Sequence, residues 1–263
     1  MSVLQTNSLR VMTYNVHGCV GMDLRRSEKR VAEVIASFQP DIVGLQELDL
    51  GRKRSGGVDQ AGLIALELGF DRIFHPALIR NEEHYGDAIL SRWPMTRRLV
   101  GELPSQKAFP FPETRGALWV EIQTPFGRVH VINTHFGIGT GERIEQAEAL
   151  IGAEWIGAVP EEEPLIVLGD FNSLPSSRPY RILTSILRDA SRVHGRRKRP
   201  TFPTFLPMLP LDHIFVNMSC RVHGVAVGVG RAARLASDHY PLFALIDLHC
   251  HTSETLVRHD LSA

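Results

Sequence analysis

Two short segments place acids, an amide and an imidazole where a buried strand gives way to a turn. Gly169-Asp170-Phe171-Asn172 follows the apolar run Leu165 to Leu168, and Ser237-Asp238-His239 precedes Tyr240-Pro241 and a second apolar run. Polar groups this close to buried strands cost free energy unless something pairs with them. Function is the economical explanation. Read in order, the ends of the expected strands collect Asn15, Glu47, Tyr85, His135, Asp170, Asn172, Asp212, Asp238 and His239. Loops at one end of a sheet are where rigid strands hold convergent polar groups. Carboxylates, amides and imidazoles suit both a hard divalent cation and a phosphoryl group.

The elements that position these residues are legible from periodicity. Leu9 to Asn15 alternates two unlike faces and reads as a strand. Ser27 caps a helix in which Val31, Val34, Ile35 and Phe38 recur at helical spacing, and Pro40 stops it. Ile42 to Leu45 is a short buried strand that delivers Gln46 and Glu47 at its end. A second helix runs from Asp59, as cap, to Leu68, with Gly69 turning the chain. Strands follow around Ile73, Ala88 to Leu90 and Leu99. Ala117 to Gln123 and Arg128 to Thr134 form a hairpin through Thr124-Pro125-Phe126-Gly127. The segment Gly141 to Trp155 presents Ile144, Ala147, Ile151 and Trp155 on one helical face. Leu165 to Leu168 is a strand, and Ser177 and Pro179 open a helix bearing Tyr180, Leu183 and Leu187. The last third reads as strand at Ile214 to Val216, Val222 to Val227 and Leu242 to Ile246, and a polar tail follows Asp247.

Composition limits the function classes. A chain of 263 residues with 43% hydrophobic content can bury one large core. Twenty-nine basic and 29 acidic residues give no net charge, which argues against non-specific coating of nucleic acid. The N-terminus lacks the pattern of a secretory signal, and no stretch approaches a membrane span in length, so a soluble cytoplasmic protein is expected. Cys19, Cys220 and Cys250 are too few and too widely spaced for a disulfide framework or a four-cysteine zinc site. They are expected to be reduced and structural.

The stretches Thr13-Tyr14-Asn15-Val16-His17-Gly18, Asp41 to Glu47, Tyr85 to Arg92, Asn133-Thr134-His135, Gly169 to Asn172, Leu211 to Val216 and Ser237-Asp238-His239 share an order and a strand-end setting. Together they resemble the endonuclease/exonuclease/phosphatase superfamily, which includes deoxyribonucleases, abasic-site endonucleases, neutral sphingomyelinases and inositol polyphosphate phosphatases. The resemblance implies a four-layer α/β/β/α sandwich of two mostly antiparallel sheets flanked by helices, spanning residues 1–247, with 248–263 as tail. It also implies a metal-dependent phosphoesterase. Glu47 would be the principal Mg²⁺ ligand, with Mn²⁺ able to substitute. Asn15 would position metal or phosphate, and Asp238 would bind a metal or hold Asn172 or His135. Asp170 would orient or deprotonate the attacking water while Asn172 donates to a phosphate oxygen. Their spacing of two puts both on one side of an extended backbone, with Phe171 in the core; an Asx turn ending the strand is the structural alternative. His239 is expected to pair with Asp212, which fixes its tautomer and stabilises its protonated form. His135 would be a phosphate contact or the acid for the leaving oxygen. Tyr85 would supply a phosphate-directed hydroxyl or pack in the core. Arg115 would bind phosphate or pair with Glu113.

Departures from the pattern narrow the branch. His17 stands where abasic-site endonucleases carry Asp, and Thr134-His135-Phe136 replaces their Tyr-containing segment. Asp87 stands where the superfamily often has Asn and adds a negative charge near the site. The Arg143 and Gln146 pair, Thr201-Phe202-Pro203 and the segment Arg52 to Gln60 look like the bacterial metal-dependent hydrolases related to sphingomyelinases. The leading expectation is a Mg²⁺-dependent phosphodiesterase or phosphomonoesterase acting on a lipid headgroup or small phosphorylated metabolite. A nuclease is the alternative, with Phe109-Pro110-Phe111-Pro112 for stacking and the basic run Arg192, Arg196, Arg197, Lys198 and Arg199 for backbone contacts. The same run also suits an anionic lipid surface or a solvated loop. A non-catalytic binding module is the third reading. His249-Cys250-His251 reads as tail rather than a metal tract.

Overall fold

The computed structural model describes residues 8–105, 113–193 and 200–248. In chain order it contains β1 (Ser8–Asn15), α1 (Glu28–Phe38), β2 (Ile42–Leu50), α2 (Gln60–Leu68), β3 (Asp71–Arg80), β4 (Glu83–Ser91) and β5 (Met95–Glu102). These are followed by β6 (Gly116–Thr124), β7 (Gly127–His135), α3 (Thr140–Ile151), β8 (Leu165–Asp170) and α4 (Arg178–Leu183). The chain continues through β9 (Arg188–Asp189), α5 (Ala190–Val193), β10 (Asp212–Val216), β11 (Cys220–Val227), α6 (Arg231–Ala236) and β12 (Leu242–Leu248).

Two six-stranded sheets stack with helices outside, in the orders β11-β12-β1-β2-β4-β3 and β5-β6-β7-β8-β10-β9. This is the expected α/β/β/α sandwich. Pairing is antiparallel except for one central parallel pair in each sheet, β1 with β2 and β7 with β8. Parallel neighbours send successive strand ends to the same edge. That edge therefore receives Asn15 from one sheet and His135 and Asp170 from the other. Across the antiparallel ladder Asp212 lies directly opposite Asp170.

Local signals account for most boundaries. Ser27 caps α1 by accepting the Arg30 amide at 3.1 Å, and Asp59 caps α2 by accepting the Gly62 amide at 2.8 Å. One apolar layer fills the space between the sheets and beneath α1 and α2, with Val11, Leu45, Ile89, Val131 and Leu168 fully buried in it. A second lies on the other face of the β5-to-β9 sheet. There Phe171 meets Phe136 and Phe215 edge-on, with ring centroids 4.9 and 5.1 Å apart.

A buried polar link joins the sheets just below the site-bearing edge. Asn133 of β7 donates to the Leu45 and Ala88 carbonyls, both at 2.9 Å, and accepts from Gln46 Nε2 at 2.7 Å. Gln46 in turn donates to Thr13 Oγ1 at 3.1 Å. Every one of these side chains is fully buried, so each depends on the others for its hydrogen bonds. Gly44 keeps the sheets close enough: a Cβ there would meet Leu168 Cδ1 at 2.0 Å and Asn133 Oδ1 at 2.9 Å.

Several expectations are corrected. The strand expected over Ile42 to Leu45 continues to Leu50, because a bulge between Leu45 and Leu48 carries it past Glu47. The helix expected to reach Trp155 ends at Ile151, and it buries Gln146, Ala147 and Leu150 rather than the face through Ile144 and Ile151. Gln146 is buried because it serves loop backbone, accepting the Gly137 amide at 2.8 Å and donating to the Pro104 carbonyl at 3.0 Å. The three strands expected in the last third are present, and α6 occupies the unassigned stretch between the second and the third. Of the basic run, Arg192 lies in α5 with its guanidinium 5.0 Å from the Tyr180 ring centre. Arg196 to Arg199, Phe109 to Pro112 and His249 to His251 lie outside the described residues.

Gly169 precedes Asp170 with φ of +152°, and a Cβ there would stand 1.9 Å from the Thr134 carbonyl oxygen. Backbone cannot give way as a side chain does. Gly169→Ala is expected to cost about 1–3 kcal/mol in chemical denaturation and to lower turnover by displacing Asp170. A variant with unchanged stability and activity would refute the close approach.

Candidate active site

The amide of Asn15 is the junction of the two sheets at this edge. Its Nδ2 donates to Glu47 Oε1 and to Asp170 Oδ2, each at 3.0 Å, while its Oδ1 accepts the His17 amide at 3.0 Å. Asn15 is 1% exposed. Glu47 reaches it because the bulge in β2 holds Glu47 at φ of +64°, a left-handed conformation that turns its side chain out of the strand's alternation. The Glu47 backbone N–H donates to the Asp87 carboxyl, which anchors that conformation. Burial pushes Asp87 up to about 8, so the additional charge expected there is largely absent at neutral pH.

Asp170, Asp212 and His239 form a buried group whose ligand atoms lie within 4.8 Å of one another. Asp212 Oδ2 accepts from His239 Nδ1 at 2.9 Å, the pairing expected from sequence, and His239 Nε2 faces Asp170 Oδ2 at 3.6 Å. Burial opposes a charge on His239, but Asp212, Asp170 and Asp238 outweigh it and push the imidazole up to about 10. Burial also raises Asp170, and Asp212 adds to the rise while His239 opposes it. A raised carboxylate beside a cationic imidazole is suited to exchanging a proton with water. Phe202 packs over His239, with ring centroids 4.7 Å apart.

On the other side stand His135, Arg115 and Asn172. Arg115 Nη1 is 2.8 Å from His135 Nδ1, and Arg115 Nη2 donates to Glu113 Oε2 at 2.8 Å. His135 Nε2 lies 3.2 Å from Asn172 Nδ2 and 3.5 Å from Asp170 Oδ2. Burial, then Arg115, then His239, drive His135 well below the usual imidazole range. The extended backbone expected from Asp170 to Asn172 is not found. Asn172 has φ of +45° and its amide bonds back to Asp170 Oδ1 at 2.9 Å, an Asx turn that still leaves Phe171 fully buried.

Asp238 pairs with His17, Nδ1 to Oδ2 at 2.8 Å, rather than with Asn172 or His135. The hydrogen bond that His17 donates to Asp238 raises the imidazole above its ordinary range. Next to Glu47 and His17 opens a cavity of about 280 Å³, also lined by Tyr85, Arg26, Asp49 and Arg54. Tyr85 is 8% exposed, with Arg54 5.2 Å and Arg52 5.5 Å from its ring centre. Arg54 grips buried Asp49 with two bonds of 2.8 Å. The sequence reading assigned no role to His17 or Arg54. His17 carried a signal in its departure from the Asp of related enzymes; Arg54 carried none beyond its place in a segment of family-like composition.

The donor set fits a hard cation. Glu47 and Asp238 are half-buried carboxylates, Glu47 bonded to the Asn15 amide and Asp238 to exposed His17. Asp212 Oδ1 is a buried acceptor without a hydrogen-bond partner. Oxygen ligands with room for water are what Mg²⁺ and Mn²⁺ prefer.

A model of the endonuclease/exonuclease/phosphatase family matches residues 12–239. The uncharacterized protein YbhP of Escherichia coli is 30% identical over 256 residues, which cover 93% of this chain and 98% of that protein. An inositol phosphosphingolipids phospholipase C of Schizosaccharomyces pombe is 30% identical over 205 residues, 70% of this chain and 46% of that protein. Among solved structures, an endonuclease/exonuclease/phosphatase from Beutenbergia cavernae shares the fold, with a TM-score of 0.75 at 23% identity over 92% of this chain and 72% of that one.

The His239 environment sets a pH dependence for stability. An unfolded histidine titrates near 6.5, whereas the folded one holds its proton to about pH 10. The interaction therefore contributes fully below about pH 6.5 and is lost as pH rises through about 10. The stability difference between wild type and His239→Gln is expected to shrink from pH 6 to pH 10 in denaturant titrations. A difference that grows with pH would contradict the assignment.

Proposed function

Because the chain belongs to the endonuclease/exonuclease/phosphatase family, whose members hydrolyse phosphoesters, we propose that it is a Mg²⁺-dependent phosphoesterase that directs water in line at phosphorus. The substrate proposed is a lipid headgroup or a small phosphorylated metabolite. The observation that carries the reading is the Asn15 amide tying Glu47 to Asp170 beside the Asp212–His239 pair. One carboxylate is left facing the open side while the other is held beside a charged imidazole.

Asp170 accepts the proton of the attacking water, and the adjacent His239, steadied by Asp212, stabilises negative charge as it develops. Asn172 donates to a phosphoryl oxygen. Glu47, Asp238 and the Asn15 carbonyl oxygen would hold the cation, Mn²⁺ substituting for Mg²⁺. When bound, it neutralises charge on the phosphoryl oxygens. The cavity beside Glu47 is where the rest of the substrate would sit. Support for a lipid headgroup comes from the similarity to a phospholipase C. A reducing, cytoplasmic setting agrees with the buried thiols of Cys19 and Cys220, and no helix among the described residues is long and apolar enough to cross a membrane.

The purified protein is expected to hydrolyse at least one of bis-p-nitrophenyl phosphate, p-nitrophenyl phosphate, sphingomyelin or an inositol phosphate. EDTA should abolish turnover, with recovery in Mg²⁺ or Mn²⁺. Asp170→Ala should lower kcat by about 10²–10⁴. Turnover that survives EDTA would remove the mechanism, and plasmid DNA as the preferred substrate would replace it with a nuclease.

A further inference from the structure

We infer that Arg115 locks His135 in one neutral tautomer, with its proton on Nε2, and so builds with Asn172 a two-donor pocket for a phosphoryl oxygen. The ligand assignment rests on the phosphoesterase reading; the tautomer rests on hydrogen-bond logic alone. A guanidinium offers only donors and stays charged. With Arg115 Nη1 2.8 Å from His135 Nδ1, that ring nitrogen must be the acceptor. The one proton of the neutral ring is then on Nε2. A doubly protonated ring would set N–H against N–H and bring two cations together, with His135 2% and Arg115 6% exposed.

The consequence appears at the other ring nitrogen. Asn172 Nδ2 lies 3.2 Å from His135 Nε2, and its identity as nitrogen follows from its 2.9 Å bond to the Phe136 carbonyl, which only accepts. Two donors therefore stand side by side and neither satisfies the other. The acceptor that His135 Nε2 does face, Asp170 Oδ2, is 3.5 Å away. Arg115 Nε is likewise buried without an acceptor. This corner is rich in donors and poor in acceptors, so an anionic oxygen placed between His135 and Asn172 would meet both.

His135 is on this account the phosphate contact and not the acid for the leaving oxygen. Arg115 is a positioning residue that acts through His135, because its two terminal nitrogens are engaged by His135 and Glu113.

The test is ¹⁵N NMR of histidine-labelled, metal-free full chain at pH 7, with the His135 signals assigned by their loss in His135→Gln. Wild type is expected to show an unprotonated Nδ1 and a protonated Nε2. Arg115→Gln, whose carbonyl can accept, should populate the Nδ1–H form and lower kcat by about a hundredfold with little change in KM. Arg115→Lys, a donor only, should keep Nε2–H and recover part of the rate. Nδ1–H or a doubly protonated ring in wild type would overturn the inference. The wild-type spectrum decides even where a variant fails to fold. It needs neither metal nor substrate, so its outcome is separate from that of the turnover screen.

Discussion

Two carboxylates from different sheets share one amide, and the site is organised around that bond pair. Glu47 and Asp170 would repel across the gap between the sheets, and a buried charge without a partner is costly. Asn15 Nδ2 answers both at 3.0 Å without adding a charge of its own. Its reach depends on the spacing of the sheets. That spacing is set one layer down, where Asn133 bonds backbone and Gln46 of the opposite sheet and Gly44 leaves room for Leu168. A polar link inside an apolar core is demanding because each member needs all the others. Here it keys the register of one sheet against the other.

From that junction the electrostatics divide. Asp170, Asp212 and Asp238 gather around His239 and hold it charged, whereas Arg115 and burial hold His135 neutral. Two histidines at one strand edge thus have opposite protonation, set by which neighbours each strand brings. The separation gives one flank that exchanges protons and one that offers donors. A phosphoryl group of the proposed substrate would meet both without either histidine changing its task.

Much of the fold was legible because it is local. Ser27 and Asp59 cap the helices they precede, and the alternation of Leu9 to Asn15 places Asn15 at the end of β1. Asn15, Glu47, His135 and Asp170 meet at one edge because the parallel pairs send their ends there. What the sequence hid is non-local or conformational. Nothing in Leu45-Gln46-Glu47-Leu48 marks a bulge, since Glu is an unusual residue at φ of +64° and Asp87, some forty residues on in the neighbouring strand β4, holds it there. Asp170-Phe171-Asn172 fits an extended strand and an Asx turn equally well, and the burial of Phe171 is satisfied by both. The partner of Asp238 was misread because His17 comes from the opposite end of the chain.

The cavity beside Glu47 constrains what can occupy the site. Arg52 and Arg54 both reach buried Asp49, at 3.5 and 2.8 Å, and Arg26 is within 3.2 Å of Glu28. Of these, Arg54 and Arg26 line the cavity, each beside a carboxylate, so that wall is polar rather than strongly positive. A long polyanion gains affinity by displacing counterions along a track of free basic groups. Among the described residues the cavity offers paired guanidiniums, the Tyr85 ring and carboxylates instead. The compact headgroup proposed above would suit that lining better than a nucleic-acid backbone would, and the chain's zero net charge agrees with that proposal.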